Sequence, residues 1–143
     1  MWRFLVVFLF TSHCFAQEVP NHTWKIVIKD SLSADRNFEL VNQTLKTNGF
    51  SIESKDLSNK SVRSSMKQID NSSITYFFKF EIRDGVIEVA GELNPNTAIY
   101  INGVKTQSTF ITIENWGGRF TEVFNKMNDF ALKLRGSHTY IFD

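Results

Sequence analysis

Three glutamates, Glu81, Glu88 and Glu92, are the side chains of this 143-residue chain whose type and spacing come nearest to chemistry. They lie in a stretch, residues 74–93, that alternates about Asp84-Gly85, a strong two-residue hairpin signal with both central positions expected at positive φ. With that turn, Arg83 faces Val86, and the pairs beyond it, Ile82 with Ile87, Phe80 with Val89, Phe78 with Gly91 and Tyr76 with Leu93, all fall on one side. A slip of one residue would turn this set to water, so the pattern sets the register. On the other side Glu81 faces Glu88, Phe77 faces Glu92 and Lys79 faces Ala90. Opposed carboxylates repel slightly, and such a pair can raise one pKa or bind calcium. The alternative is an exposed sheet face whose acids are offset by Lys79 and Arg83. A glycosidase would need a sugar cleft besides its two carboxylates, and no sign of one is visible.

Phe77 and Tyr100 are the other candidates. An outward aromatic on an open sheet can dock a peptide, a glycan or a protein partner, or it can meet another part of the chain such as residues 56–71. His22 and His138 stand near the two ends without the i, i+4 partner of a helical metal site and read as surface residues. The serine-rich stretches lack a nucleophile elbow. Trp116-Gly117-Gly118 lacks the lysine of a phosphate loop and reads as a bend that seats Trp116 against the core. No catalytic set, metal site or cofactor is expected.

The elements that would position these residues are legible to different degrees. Trp24, Ile26 and Ile28 alternate with Lys25, Val27 and Lys29, which is a half-buried strand after a short, polar, flexible lead-in at residues 17–23. Ser33 offers an N-cap, Asp35 suits the first turn, and Ala34, Phe38, Val41 and Leu45 form one helical stripe closed by Asn48-Gly49. Phe50 and Ile52 begin a second strand. Residues 56–71 carry Val62, Met66 and Ile69 but little else to hold a helix, and read as a loop or weak edge element. Asn102-Gly103 marks a second hairpin after residues 98–101, and residues 110–113 continue as a strand after a bulge near Ser108. Phe120, Val123, Phe124, Met127, Phe130, Ala131 and Leu134 give a last helix ended by Gly136, with a short terminal strand at residues 140–142.

Residues 1–16 have the three parts of a secretory signal: Arg3, an apolar run over residues 4–10, and a short polar end with Ala16 at the cut and the small Cys14 two places before it. The run is too short for a membrane anchor, and His13 before Cys14 disfavours a lipoprotein. Cleavage removes the one cysteine, so residues 17–143 form a single domain without a disulfide or thiolate site, which suits a bacterial envelope better than an animal secretory pathway. Asn21, Asn42 and Asn71 open glycosylation triplets that matter only in a eukaryote. Of the 16 Lys and Arg, Arg3 leaves with the signal, and the rest balance 15 Asp and Glu, without the basic field of a nucleic-acid binder. No membrane span is expected in the mature chain.

One aromatic sheet face and two amphipathic helices make a two-layer α+β domain, with a mainly antiparallel twisted sheet and both helices on the Phe78, Phe80 and Ile82 side. The β-α-β opening at residues 24–52, the Asp84-Gly85 hairpin and the closing helix after Trp116-Gly117-Gly118 resemble a group of small exported Bacteroidota proteins of unknown function. Their TATA-binding-protein-like fold, ordered β-α-β4-α, implies an envelope location and no particular activity. The expected function is a non-catalytic module that binds a protein, peptide or glycan through its open sheet face or an edge. The alternatives are a hydrolase or lyase using the outward glutamates, and a structural piece of an envelope assembly.

Overall fold

The alternation at the start of the domain produces strand β1 (Thr23–Lys29), with Ile26 and Ile28 fully buried. The computed structural model describes residues 18–96 and 109–143, together with the backbone of two short strands at 99–101 and 104–106. After β1, Ser33 caps helix α1 (Ala34–Thr47), its Oγ accepting from Arg36 N at 3.4 Å, and Asp35 meets the positive end of the helix. Phe38, Val41 and Leu45 are buried, and Asn48 with Gly49 at φ 71° ends the helix as expected.

Residues 56–71 become sheet. Strands β2 (Ile52–Asp56) and β3 (Ser61–Ser64) pair as a hairpin, followed by the two-residue β4 (Lys67–Gln68). Val62 and Ser64 alternate into the core, while the outward positions stay polar. Strands β5 (Thr75–Arg83) and β6 (Val86–Asn94) pair in the expected register, from Arg83 with Val86 to Tyr76 with Leu93. The turn itself differs from expectation. Gly85 sits at φ 67°, but Asp84 does not take a positive φ. The tip is shaped instead by the β1–α1 loop: Asp84 Oδ1 accepts from Ala34 N at 2.7 Å, Gly85 N donates to Leu32 O at 2.8 Å, and Asp30 N donates to Gly85 O at 3.0 Å.

Strands β7 (Ile99–Ile101) and β8 (Val104–Thr106) pair with Ile101 opposite Val104, as a two-residue connection requires. Residues 102 and 103, and the bulge expected near Ser108, lie outside the described residues. Strand β9 (Ile111–Thr112) rejoins the main sheet beside β6, helix α2 (Gly118–Ala131) follows, and β10 (Ser137–Phe142) closes the fold. The terminal strand is longer than residues 140–142 and pairs with β1 along its length.

The strand order is β10-β1-β6-β5-β3-β2, with β4 beside β5 and β9 beside β6, and every pair is antiparallel. Helix α1 covers β5, β3 and β2, and α2 covers β6 and β1, both on the Phe78, Phe80 and Ile82 face. The fold is therefore a two-layer α+β domain. Phe130 of α2 meets Phe78 at 5.9 Å and Phe80 at 5.3 Å between ring centroids, and Phe50 closes the same cluster. Burying four phenylalanines together supplies a large share of the apolar area this core removes from water.

Candidate functional site

On the outer sheet face the pairing of Glu81 with Glu88 and of Phe77 with Glu92 is as expected, but the chemistry is different. Strand β1 enters beside β6, and Lys25 Nζ donates to Glu88 Oε2 at 2.7 Å, while Arg83 reaches the other carboxylate oxygen. The Lys25 hydrogen bond, aided by both positive charges, holds the Glu88 carboxyl below its usual range. A hydrolase acid must keep its proton near neutrality, so Glu88 is tuned the wrong way for that role. Lys79 pairs with Glu92, and Glu81 is exposed. Glu88 and Glu92 therefore belong to cross-strand ion pairs, and Glu81 stands exposed beside them. No group of three or more Asp, Glu, His or Cys among the described residues could hold a metal ion.

Phe77 points away from the helices, yet it is only 1% exposed and so is not the docking aromatic expected there. The Arg63 guanidinium lies over its ring at 3.8 Å, Phe110 meets it edge-on at 5.4 Å between centroids, and Lys79 approaches from the side. Arg63 comes from the 56–71 stretch, which therefore covers Phe77, and is itself held 2.9 Å from Glu53. Tyr100 lies on β7, opposite Lys105, where only the backbone is described. Cys14 and Ala16 lie outside the described residues.

The most exposed aromatic among the described residues, Trp116, stands at a corner that the sequence pattern did not mark. Strand β1 pairs with β6 only from Ile26 onward, and the chain after β9 enters the gap between them. Ile113 N donates to Gly91 O at 3.0 Å, Asn115 N donates to Thr23 O at 2.9 Å, and His22 N donates to Asn115 O at 2.9 Å. Gly91 makes room for this wedge, because a Cβ there would lie 2.6 Å from Ile113 Cδ1 and 2.7 Å from Phe77 O. Asn115 also ties the corner together, donating to Pro20 O at 3.0 Å and accepting from Thr121 Oγ1 at 3.3 Å. Residues 20–23, expected as a flexible lead-in, are thus pinned to the start of α2.

Behind the wedge the chain turns through Gly117 at φ 73° and Gly118 at φ 54°, a conformation glycine adopts without strain. That turn swings Trp116 outward. It is 63% exposed, rather than seated against the core, and its ring stands 6.4 Å from His22 and 6.0 Å from Phe120 between centroids. His22 Nδ1 donates to Glu114 Oε1 at 2.5 Å, which sets a carboxylate and an imidazole beside the indole. Helix α2 begins beside this corner, at Gly118, with no acidic residue in its first turn and no side-chain cap on its first amides. His138, by contrast, is spent on structure, its Nε2 donating to Ala131 O at 3.0 Å.

A second open region, a groove of about 720 Å³ between the end of α1 and β2, is lined by Lys46, Phe50, Ile52, Glu53 and Lys55. Its polar groups are lysines, serines and a glutamate already paired with Arg63, at a sheet edge, so the Trp116 corner is the better-formed candidate. No helix among the described residues is long and apolar enough to cross a membrane. Compared with family models, with curated proteins and with solved structures, the chain matches none.

Proposed function

We propose that this chain is an exported, non-catalytic binding module of the bacterial envelope that takes glycans at the Trp116 corner. The observation that carries the reading is the exposed indole, flanked by His22 and Phe120 and bordered by Glu114. A flat apolar ring flanked by hydrogen-bonding groups suits a sugar, whose C–H face packs on the indole while its hydroxyls reach the carboxylate, the imidazole and the first amides of α2. The paired state of Glu88 and Glu92 supports binding over hydrolysis, and the export-type leader at residues 1–16 supports the location.

Affinity electrophoresis through gels containing soluble glucans or peptidoglycan fragments tests the reading. The protein is expected to be retarded, and Trp116→Ala to weaken retention at least about tenfold while the melting temperature stays within about 2 °C, since an exposed side chain adds little stability. Equal retention of the two proteins, or none by either, refutes it. N-terminal sequencing of the protein from cells is expected to begin at Gln17.

A further inference from the structure

The sheet ends on two strands of opposite character. Strand β2 is guarded: its pairing slips between Ile52 and Ser54, and it carries Glu53, Lys55 and Asp56 within five residues. Bulges and charges are how natural sheets stop another strand from adding to their edge. Strand β10, Ser-His-Thr-Tyr-Ile-Phe, has neither charge nor proline, and pairs residue for residue with β1 from Ile141 to Ser137. Alternate residues of its outer side direct N–H and C=O groups away from β1.

The helix beside this edge matches it. Tyr140 Oη donates to Asn128 Oδ1 at 3.0 Å, which sets the Asn128 flank of α2 next to β10. That flank, Thr121, Asn125, Asn128 and Leu132, is uncharged, and Leu132 and Phe142 are both more than half exposed. The other flank bears Glu122, Lys126, Asp129 and Lys133 and turns toward α1, where Lys133 reaches Asn48. Charge returns only at the two ends of β10, as Arg135 before it and Asp143 after it, both exposed and neither in an ion pair among the described residues.

We propose that a second copy of this chain pairs antiparallel along β10 and continues the sheet across a two-fold axis. Antiparallel pairing centred on Thr139 brings the Arg135 end of β10 in each copy beside the Asp143 end in the other, so the two lone charges of one edge answer those of its mate twice per dimer. A parallel partner would set like charges together. The inference goes beyond the glycan reading and does not depend on it. It adds one property: because Thr23, next to His22, pairs with Phe142, the two Trp116 corners fall at opposite ends of one junction. A ligand with repeating units could then engage both, with avidity set by their spacing.

Sedimentation equilibrium of the protein and its charge variants tests the proposal. A dimer is expected at concentrations below about 100 μM; Arg135→Asp and Asp143→Arg are each expected to weaken it at least about tenfold, and the double reversal to restore it to within about threefold. All three changes are at exposed positions, and circular dichroism checks that each variant is folded. A protein that is monomeric at about 1 mM overturns the proposal. A dimer that is indifferent to both reversals also overturns it and moves the contact to another surface, such as β2 or the Trp116 corner.

Discussion

Phe77 and Phe78 are neighbours on β5 and both are almost fully buried, yet they are covered in different ways. Phe78 enters a cluster of rings, Tyr76, Phe50 and Phe130, beneath two helices. Phe77 enters no layer. Its cover is a guanidinium, a lysine and one edge-on phenylalanine, on a face otherwise occupied by ion pairs. One face of the sheet is closed by apolar packing of whole elements and the other by individual long side chains laid flat on it. Arg and Lys suit the second task because their stems are apolar and only their ends need water. The contrast explains how, among the described residues, Phe77 is covered on the outer face without a helix laid over it.

Truncating the two rings measures the contrast most directly. Phe78→Ala is expected to cost about 3–5 kcal/mol, because two packed helices cannot collapse into the space left. Phe77→Ala is expected to cost about 2 kcal/mol, because Arg63 and Phe110 can settle onto the strand. Urea unfolding gives both values, and equal losses would mean that the outer face is packed as firmly as the inner one.

Gly91→Ala comes next, at about 1–3 kcal/mol, since the added Cβ meets the backbone oxygen of Phe77 as well as the Ile113 side chain. The same substitution should also dim the corner, by displacing the wedge that carries Glu114 and Trp116. Loss of stability with glycan retention unchanged would uncouple the wedge from the site.

Glu88→Gln is the smallest, at about 1 kcal/mol, because its partners Lys25 and Arg83 are partly solvated. Its sign with pH is definite. The folded carboxyl ionises below its ordinary value of 4.5, so its contribution is complete above that pH and is lost as the pH falls through the lowered value. Glu88→Gln should therefore be less stable than the parent at pH 7 and approach it in strong acid. Parallel stability curves from neutrality to acid would show that the ion pairs contribute nothing.

The sequence made the inner face readable and left the corner unreadable for a definable reason. The β5–β6 register follows from nearest neighbours, one turn and a strict alternation; both helices announce themselves by an apolar stripe and α1 also by its cap, whereas α2 ends at Ala131, before the Gly136 expected to close it. Residues 56–71 are hard to read because an edge hairpin buries little: Val62 and Ser64 point inward, while Arg63, which covers Phe77, has the composition of a solvated position. A tryptophan before two glycines has the composition of a core anchor, whereas the two left-handed glycines turn Trp116 out. The wedge depends on a glycine in β6 meeting an isoleucine that arrives from a different part of the chain, and no local pattern records such a meeting. Phe77 lies on the outer face as its place in the alternation requires, and only its cover comes from distant residues.

The tip of the β5–β6 hairpin has a consequence for the order in which this chain acquires structure. Asp84 Oδ1 accepts from the first amide of α1, fifty residues earlier, while the amide and carbonyl of Gly85 hold Leu32 and Asp30. A helix emerging first from the ribosome thus keeps part of its N-terminus unfinished until the hairpin has been made. The two elements form one cooperative unit despite their separation in sequence, and its long loop must close before either gains its full stability. In native-state hydrogen exchange the amides of Asp30, Ala34 and Gly85 should open together, as a single event.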